Sequence, residues 1–150
     1  MKRIIALALP LLLLAGCATQ QQAPLTPADL RALLNEAGGQ SIPLPTVHYQ
    51  TQTEFDTSHP RNSGGCGMTV LSRDPNVAGI YLLRDTTWAC AAHEISHWKR
   101  FVLGEPMSEC LGYRFGERVA GEHGEWNLAQ HEHRNALRWC GADLGKEGLL

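Results

Sequence analysis

The apolar residues change period several times along the chain, and each change marks a predicted element. Leu30, Leu33, Leu34 and Ala37 recur at helical spacing. They follow Thr26-Pro27-Ala28-Asp29, a capping hydroxyl and a proline suited to the first turn, and Gly38-Gly39 ends the run, so a helix is predicted over 27–37. From Val47 the period falls to two: Val47, Tyr49, Thr51, Thr53 and Phe55 share one side, and His48, Gln50, Gln52 and Glu54 the other. That is the pattern of a half-buried strand. Residues 56–67, rich in Ser, Pro, Asn and Gly, read as a long surface loop. The apolar stretches 68–71 and 80–83 flank the turn signal Asp74-Pro75-Asn76 and predict an antiparallel pair. Residues 88–103 lack Gly and Pro until Gly104, Pro106 suits the start of a helix over 107–121, and 126–140 places Ala129, His133, Ala136, Leu137 and Cys140 on one helical face. The order helix, strands, then helices predicts an α+β fold, with the helices packed on one side of a small antiparallel sheet.

The first residues carry a different message. Lys2 and Arg3 precede eleven residues, Ile4 to Leu14, that are apolar apart from Pro10. As a helix this stretch would rise about 16 Å, half of what a bilayer core needs, so it reads as a secretory leader and not as a membrane span. Leu14-Ala15-Gly16-Cys17 resembles the lipobox of bacterial lipoproteins. The resemblance implies cleavage of residues 1–16 and acylation of Cys17, with the chain held to a membrane by its lipid. Ala18 in place of Asp then favours the outer membrane, facing the periplasm. Residues 17–25 read as a lipidated polar tether, and 26–150 as the domain.

Composition narrows the function classes. The 150 residues are 43% hydrophobic, with 13 basic and 15 acidic side chains interspersed, for a formal charge of -2. No basic patch suits a nucleic-acid backbone, and nucleic acid is not expected as a partner. Beyond Cys17, four cysteines remain: Cys66, Cys90, Cys110 and Cys140. An even count in an exported chain, without a C-x-x-C pair, reads as two disulfides whose connectivity stays open.

The chemistry sits in His93-Glu94-Ile95-Ser96-His97, an H-E-x-x-H motif in the middle of the segment predicted helical. Four residues apart on a helix, the two imidazoles face one way and can grip a single Zn²⁺, while Glu94 leaves the helix about 100° from His93 and can reach bound water as a general base. At this motif the chain resembles the zincin metallopeptidases, and over residues 67–125 the small gluzincins. Lys99 departs from the extended zincin pattern, which has an apolar residue there. The resemblance implies that a glutamate on the next helix completes the zinc site. Glu109 opens Glu109-Cys110-Leu111-Gly112-Tyr113-Arg114-Phe115-Gly116, which is similar to the E-x-x-A-[ND]-x-F-A helix of small repressor-cleaving gluzincins. Against Glu109, a tight hairpin turning near Glu105 would bring residues 113–117 opposite the histidines, and Glu117, with nineteen residues between it and His97, has the spacing of thermolysin-like enzymes. Glu109 is preferred, with Glu117 and then His123 left open; Glu122 and Glu125 are also downstream.

Tyr113, one turn beyond Glu109, reads first as a packing residue and only weakly as a transition-state donor. His131 and His133 diverge by about 200° on a helix and cannot chelate one ion together. His48 and His59 read as bland, and Trp98 as the tryptophan best placed to line a cleft. The strand at 79–84 could pair with an extended peptide if it lay at the sheet edge. The expected function is a zinc metallopeptidase of the bacterial cell envelope, hydrolysing peptide or peptidoglycan cross-link amides through a zinc-activated water with Glu94 as base. The alternative is a metal-binding or structural envelope lipoprotein that holds a partner without hydrolysis.

Overall fold

The computed structural model describes residues 24–74 and 76–146. The leader, Cys17 and most of the expected tether lie outside the described residues. Within them the chain forms five α-helices and a three-stranded sheet, an α+β arrangement. Helix α1 (Pro27–Glu36) starts at Thr26, whose hydroxyl accepts from the Asp29 backbone N–H while the Asp29 carboxylate accepts from Thr26 N–H. This reciprocal cap satisfies two backbone donors that a helix start leaves orphaned. Leu30, Leu33 and Leu34 are buried beneath it. Leu25 is buried as well, and the Tyr49 hydroxyl donates to its carbonyl, so the packed domain begins slightly earlier than composition predicts.

Strand β1 (Val47–Gln50) is shorter than its alternation predicts. Thr51 accepts from Glu54 N–H and Glu54 accepts from Thr51 N–H, a capping box that starts helix α2 (Gln52–Ser58) where the strand was expected to continue to residue 55. Phe55 is fully buried from that helix, and a 3₁₀ turn at Pro60–Asn62 occupies part of the expected loop.

Strands β2 (Gly67–Val70) and β3 (Gly79–Leu83) pair antiparallel, as predicted. β1 joins β3 in parallel, so the sheet is mixed, with order β1-β3-β2, and the all-antiparallel expectation is corrected. The cause is connectivity. The chain leaves β1 through α2, reverses through β2 and returns to β3 in its original direction. Val47, Tyr49, Ile80, Leu82, Gly67 and Thr69 share one face by register, and that face meets α1 and α3 (Trp88–Leu103). Burying Ile80, Leu82, Ile95 and Leu33 there contributes roughly 1.5–3 kcal/mol each. The opposite face holds the row His48, Tyr81, Met68. His48 stacks on Tyr81 at 4.4 Å, and His59, at the end of α2, meets Tyr81 edge-on at 4.8 Å. Helical chain therefore covers both faces, not one, because Phe55 and His59 bring α2 over the outer row.

Thr87 caps α3 by accepting from Cys90 N–H, and Gly104 ends it in the left-handed region at φ 66°. Helix α4 (Glu109–Glu122) packs between α3 and α5 (Trp126–Lys146), the latter running past the expected end at residue 140. Among its described side chains Glu132 and Ala136 are buried, whereas His133 and Leu137, expected on the packed face, are exposed. Disulfides join Cys66 to Cys90 and Cys110 to Cys140.

Candidate metal centre

Helix α3 carries His93, Glu94 and His97 in its buried middle, where the core on both sides fixes its rotation. The one-turn offset aims both rings the same way, and their Nε2 atoms lie 2.9 Å apart. Glu109 closes the group from the first turn of α4, with Oε2 3.2 Å from His93 Nε2 and Oε1 3.5 Å from His97 Nε2. One ligand atom from each of the three residues falls within 4.8 Å of the others. Two imidazole nitrogens and a carboxylate oxygen form a donor set that could hold a metal ion. The histidines are buried, whereas the Glu109 side chain is 42% exposed, so the group opens to solvent on one side.

The register between α3 and α4 selects Glu109 over Glu117. Arg100 donates to the Pro106 carbonyl and pairs with Glu105 at 3.1 Å, which folds residues 105–106 back along the last turn of α3. Helix α4 therefore starts deeper along α3 than a symmetric hairpin would allow. Gly112 meets His93, Gly116 meets the Ala89 carbonyl, and Glu109 falls beside His97. Glycine is required at this contact: a Cβ on residue 112 would lie 2.9 Å from His93 Cε1 and 3.0 Å from Nδ1. Glu117 instead binds His133 at 2.8 Å on the far side of α4. His123 stacks on Trp88 at 3.7 Å, Glu122 pairs with Arg118, and both carboxylate oxygens of Glu125 accept from the first N–H groups of α3, those of Trp88 and Ala89. Each rejected candidate thus has a partner elsewhere.

Glu94 is 8% exposed and its Oε2 accepts from the Thr69 hydroxyl at 2.7 Å, tying the carboxylate to β2. A cleft of about 460 Å³ has His93, Glu94 and His97 as its floor, Gly67, Met68 and Thr69 of β2 on one wall, and Met107, Glu109 and Tyr113 on the other. Asn62, from the segment expected to be a surface loop, joins the β2 wall. The strand beside the cleft is β2, which lies at the sheet edge; β3, which could have paired with a peptide only from an edge position, is central. Trp98 does not line the cleft. It is buried, with its indole N–H donating to the Pro43 carbonyl. Tyr113 packs edge-on against His93 at 4.4 Å, and burial followed by neighbouring carboxylates pushes its hydroxyl pKa up.

Electrostatics follow from this crowding. Hydrogen bonds from His93 and His97 hold the Glu109 carboxyl well below the ordinary range. Burial opposes charge on His93, but the bond to Glu109 and the charges of Glu94, Glu109 and Glu132 prevail and raise its pKa. Glu132, unforeseen in the sequence because its helical face was assigned to His133 and Leu137, is pushed up to about 7 by burial. The Nδ1 atoms of both histidines and Glu132 Oε2 are buried without a hydrogen-bond partner. Family models, curated proteins and solved structures give no match to this chain. Its function is therefore argued from the residues themselves.

Proposed function

We propose that the protein is a zinc-dependent peptidase of the bacterial cell envelope, acting on peptide or peptidoglycan cross-link amide bonds. The observation that carries this reading is the convergence of His93, His97 and Glu109 beside a buried Glu94 in one open cleft. His93 and His97 would hold the ion through Nε2, and Glu109 through its carboxylate. Zinc, when bound, lowers the pKa of water towards 7 and polarises the carbonyl under attack.

The remaining work falls to the chain's own groups. Thr69 fixes one oxygen of Glu94, and the other is left to take a proton from the attacking water and return it to the leaving amine. The outer edge of β2 offers backbone groups to an extended peptide lying along the cleft. Envelope placement is supported by the lipobox-like Leu14 to Cys17 and by two disulfides, which persist in oxidising compartments. Among the described residues no helix is long and apolar enough to cross a membrane; the attachment we propose is through Cys17, on the strength of the lipobox-like sequence.

The test uses full-length protein in mild detergent, elemental analysis, and turnover of a quenched peptide library and of cross-linked muropeptides. Wild type should hold one zinc per chain and cleave one class; His97→Ala should lose both metal and cleavage. Glu94→Gln should keep the metal and lose turnover by about 10²–10⁴-fold. Stoichiometric zinc with no cleavage of either class would leave a metal-holding module, and no zinc at all would remove the reading entirely.

A further inference from the structure

We propose that Glu132 is the positioning residue for His93: its carboxylate accepts a hydrogen bond from Nδ1–H and so fixes the ring tautomer that leaves Nε2 free for the ion. This inference rests on the metal reading above.

Two buried atoms point to it. His93 Nδ1 and Glu132 Oε2 face each other at 4.0 Å, and neither has a hydrogen-bond partner. A neutral imidazole carries one proton, so a ring whose Nε2 lone pair faces a cation must carry it on Nδ1. That N–H is buried and needs an acceptor. Glu132 is a carboxylate with an unfilled acceptor site at the Nδ1 end of the ring, and the proposed bond requires the two side chains to close the 4.0 Å gap between them. An outer carboxylate on a ligating histidine orients the ring and raises its basicity.

The packing of α4 is cut to permit this meeting. Helix α4 lies between α3 and α5 and would otherwise hold their side chains apart. A Cβ on Gly112 would press into the His93 ring, and a Cβ on Gly116 would lie 2.8 Å from Glu132 Oε2 and 3.0 Å from the Ala89 carbonyl. Two glycines one turn apart open a notch through which the α5 carboxylate reaches the α3 ring. On α5 itself His131 and His133 on either side of Glu132 are exposed, while Glu132 is turned inward and 9% exposed.

The test compares full-length wild type, Glu132→Ala and Glu132→Gln. Zinc affinity is measured by competition with a chromogenic chelator, and the His93 tautomer by long-range ¹⁵N NMR of the zinc-loaded protein. Wild type should show a protonated Nδ1. Glu132→Ala should weaken zinc binding by about 10–100-fold, and Glu132→Gln, whose amide oxygen can still accept, should recover most of that loss. A purely structural role would lower the melting temperature and leave the His93 nitrogen shifts in place. The wild-type tautomer does not depend on any variant folding, so an unprotonated Nδ1 there overturns the proposal, as does an Ala variant with wild-type affinity. If wild type takes up no zinc, the metal reading fails and this inference falls with it; zinc uptake with an indifferent Glu132 removes the inference alone.

Discussion

At the scale of single residues, the site is built on close approach. Gly112 lets the His93 ring lie against the α4 backbone, and Gly112→Ala would place a methyl group inside 3.1 Å of three ring atoms. The ring is held in the core and must swing away, so the variant should lose about 1–3 kcal/mol of stability and bind zinc at least about tenfold more weakly. Chemical denaturation and chelator competition read the two effects; an Ala variant equal to wild type in both would show that the contact is slack. The same crowding sets a pH dependence in the metal-free protein. Glu132 is raised from 4.5 to about 7, so between those values the folded state holds a proton that the unfolded chain has lost, and stability falls as pH rises. His93 is also raised, above 6.5, and its contribution, full below 6.5, is lost as pH climbs through the raised value. Glu109 is lowered, so its contribution is present above 4.5 and is lost only as pH falls well below that. Zinc binding needs deprotonated ligands and strengthens as pH rises. The melting temperature in chelator should therefore decline from pH 5 to 8 while the increment given by zinc grows, and Glu132→Gln should flatten part of the decline.

At the scale of elements, the sequence was legible where a local signal agreed with packing. The capped amphipathic α1, the Gly-terminated α3 and the β2–β3 pair follow from caps, periods and turn residues, and the H-E-x-x-H group follows from helical spacing alone. It misled at Thr51. Five alternating residues argued for a strand to Phe55, but the Thr51–Glu54 capping box acts over four residues and is satisfied at once, whereas a longer strand would need a partner that β3 does not provide beyond Leu83. The parallel entry of β1, the central place of β3 and the inward turn of Glu132 were not legible, because each is decided by contacts between distant segments. Which glutamate of α4 meets the histidines was undecided for the same reason: Arg100 shifts the helix register through a loop whose path no periodicity encodes. The caps give a direct check. Glu125 accepts from two N–H groups at the start of α3, where the helix dipole also favours a negative charge. Glu125→Ala should cost about 1 kcal/mol, and Thr51→Ala a similar amount, by urea unfolding. Glu125→Ala should leave zinc stoichiometry unchanged, since Glu125 holds the end of α3 one turn and more from His93; loss of the metal would instead mark Glu125 as part of the site.

At the scale of the whole molecule, two covalent ties brace the cleft from opposite walls, and the physical setting of the ligands separates what each tie does. Cys66–Cys90 joins the start of β2 to α3 one turn before His93, and Cys110–Cys140 joins the start of α4, next to Glu109, to α5. Loss of either bridge should destabilise the fold by about 2–4 kcal/mol, because the closed loops of 24 and 30 residues are similar in length. Their effects on the metal should differ. His93 and His97 sit in the buried centre of α3, fixed by Ile95 and its neighbours on the core side, and remain so without the β2 tie. Glu109 stands in the first turn of α4, half-exposed, where helix ends fray and the adjacent Cys110 is the covalent restraint. A Cys110→Ser/Cys140→Ser pair should therefore weaken zinc binding by about tenfold or more, while Cys66→Ser/Cys90→Ser changes it far less despite a comparable drop in melting temperature. Its own effect should fall on substrate, because Gly67 and Thr69 lose their anchor and the edge of β2 drifts from Glu94: KM for an extended peptide should rise. Calorimetry for stability, chelator competition for the metal and peptide kinetics for the edge separate the three quantities, and equal metal affinities in the two double variants would show that Glu109 is held by α4 packing alone.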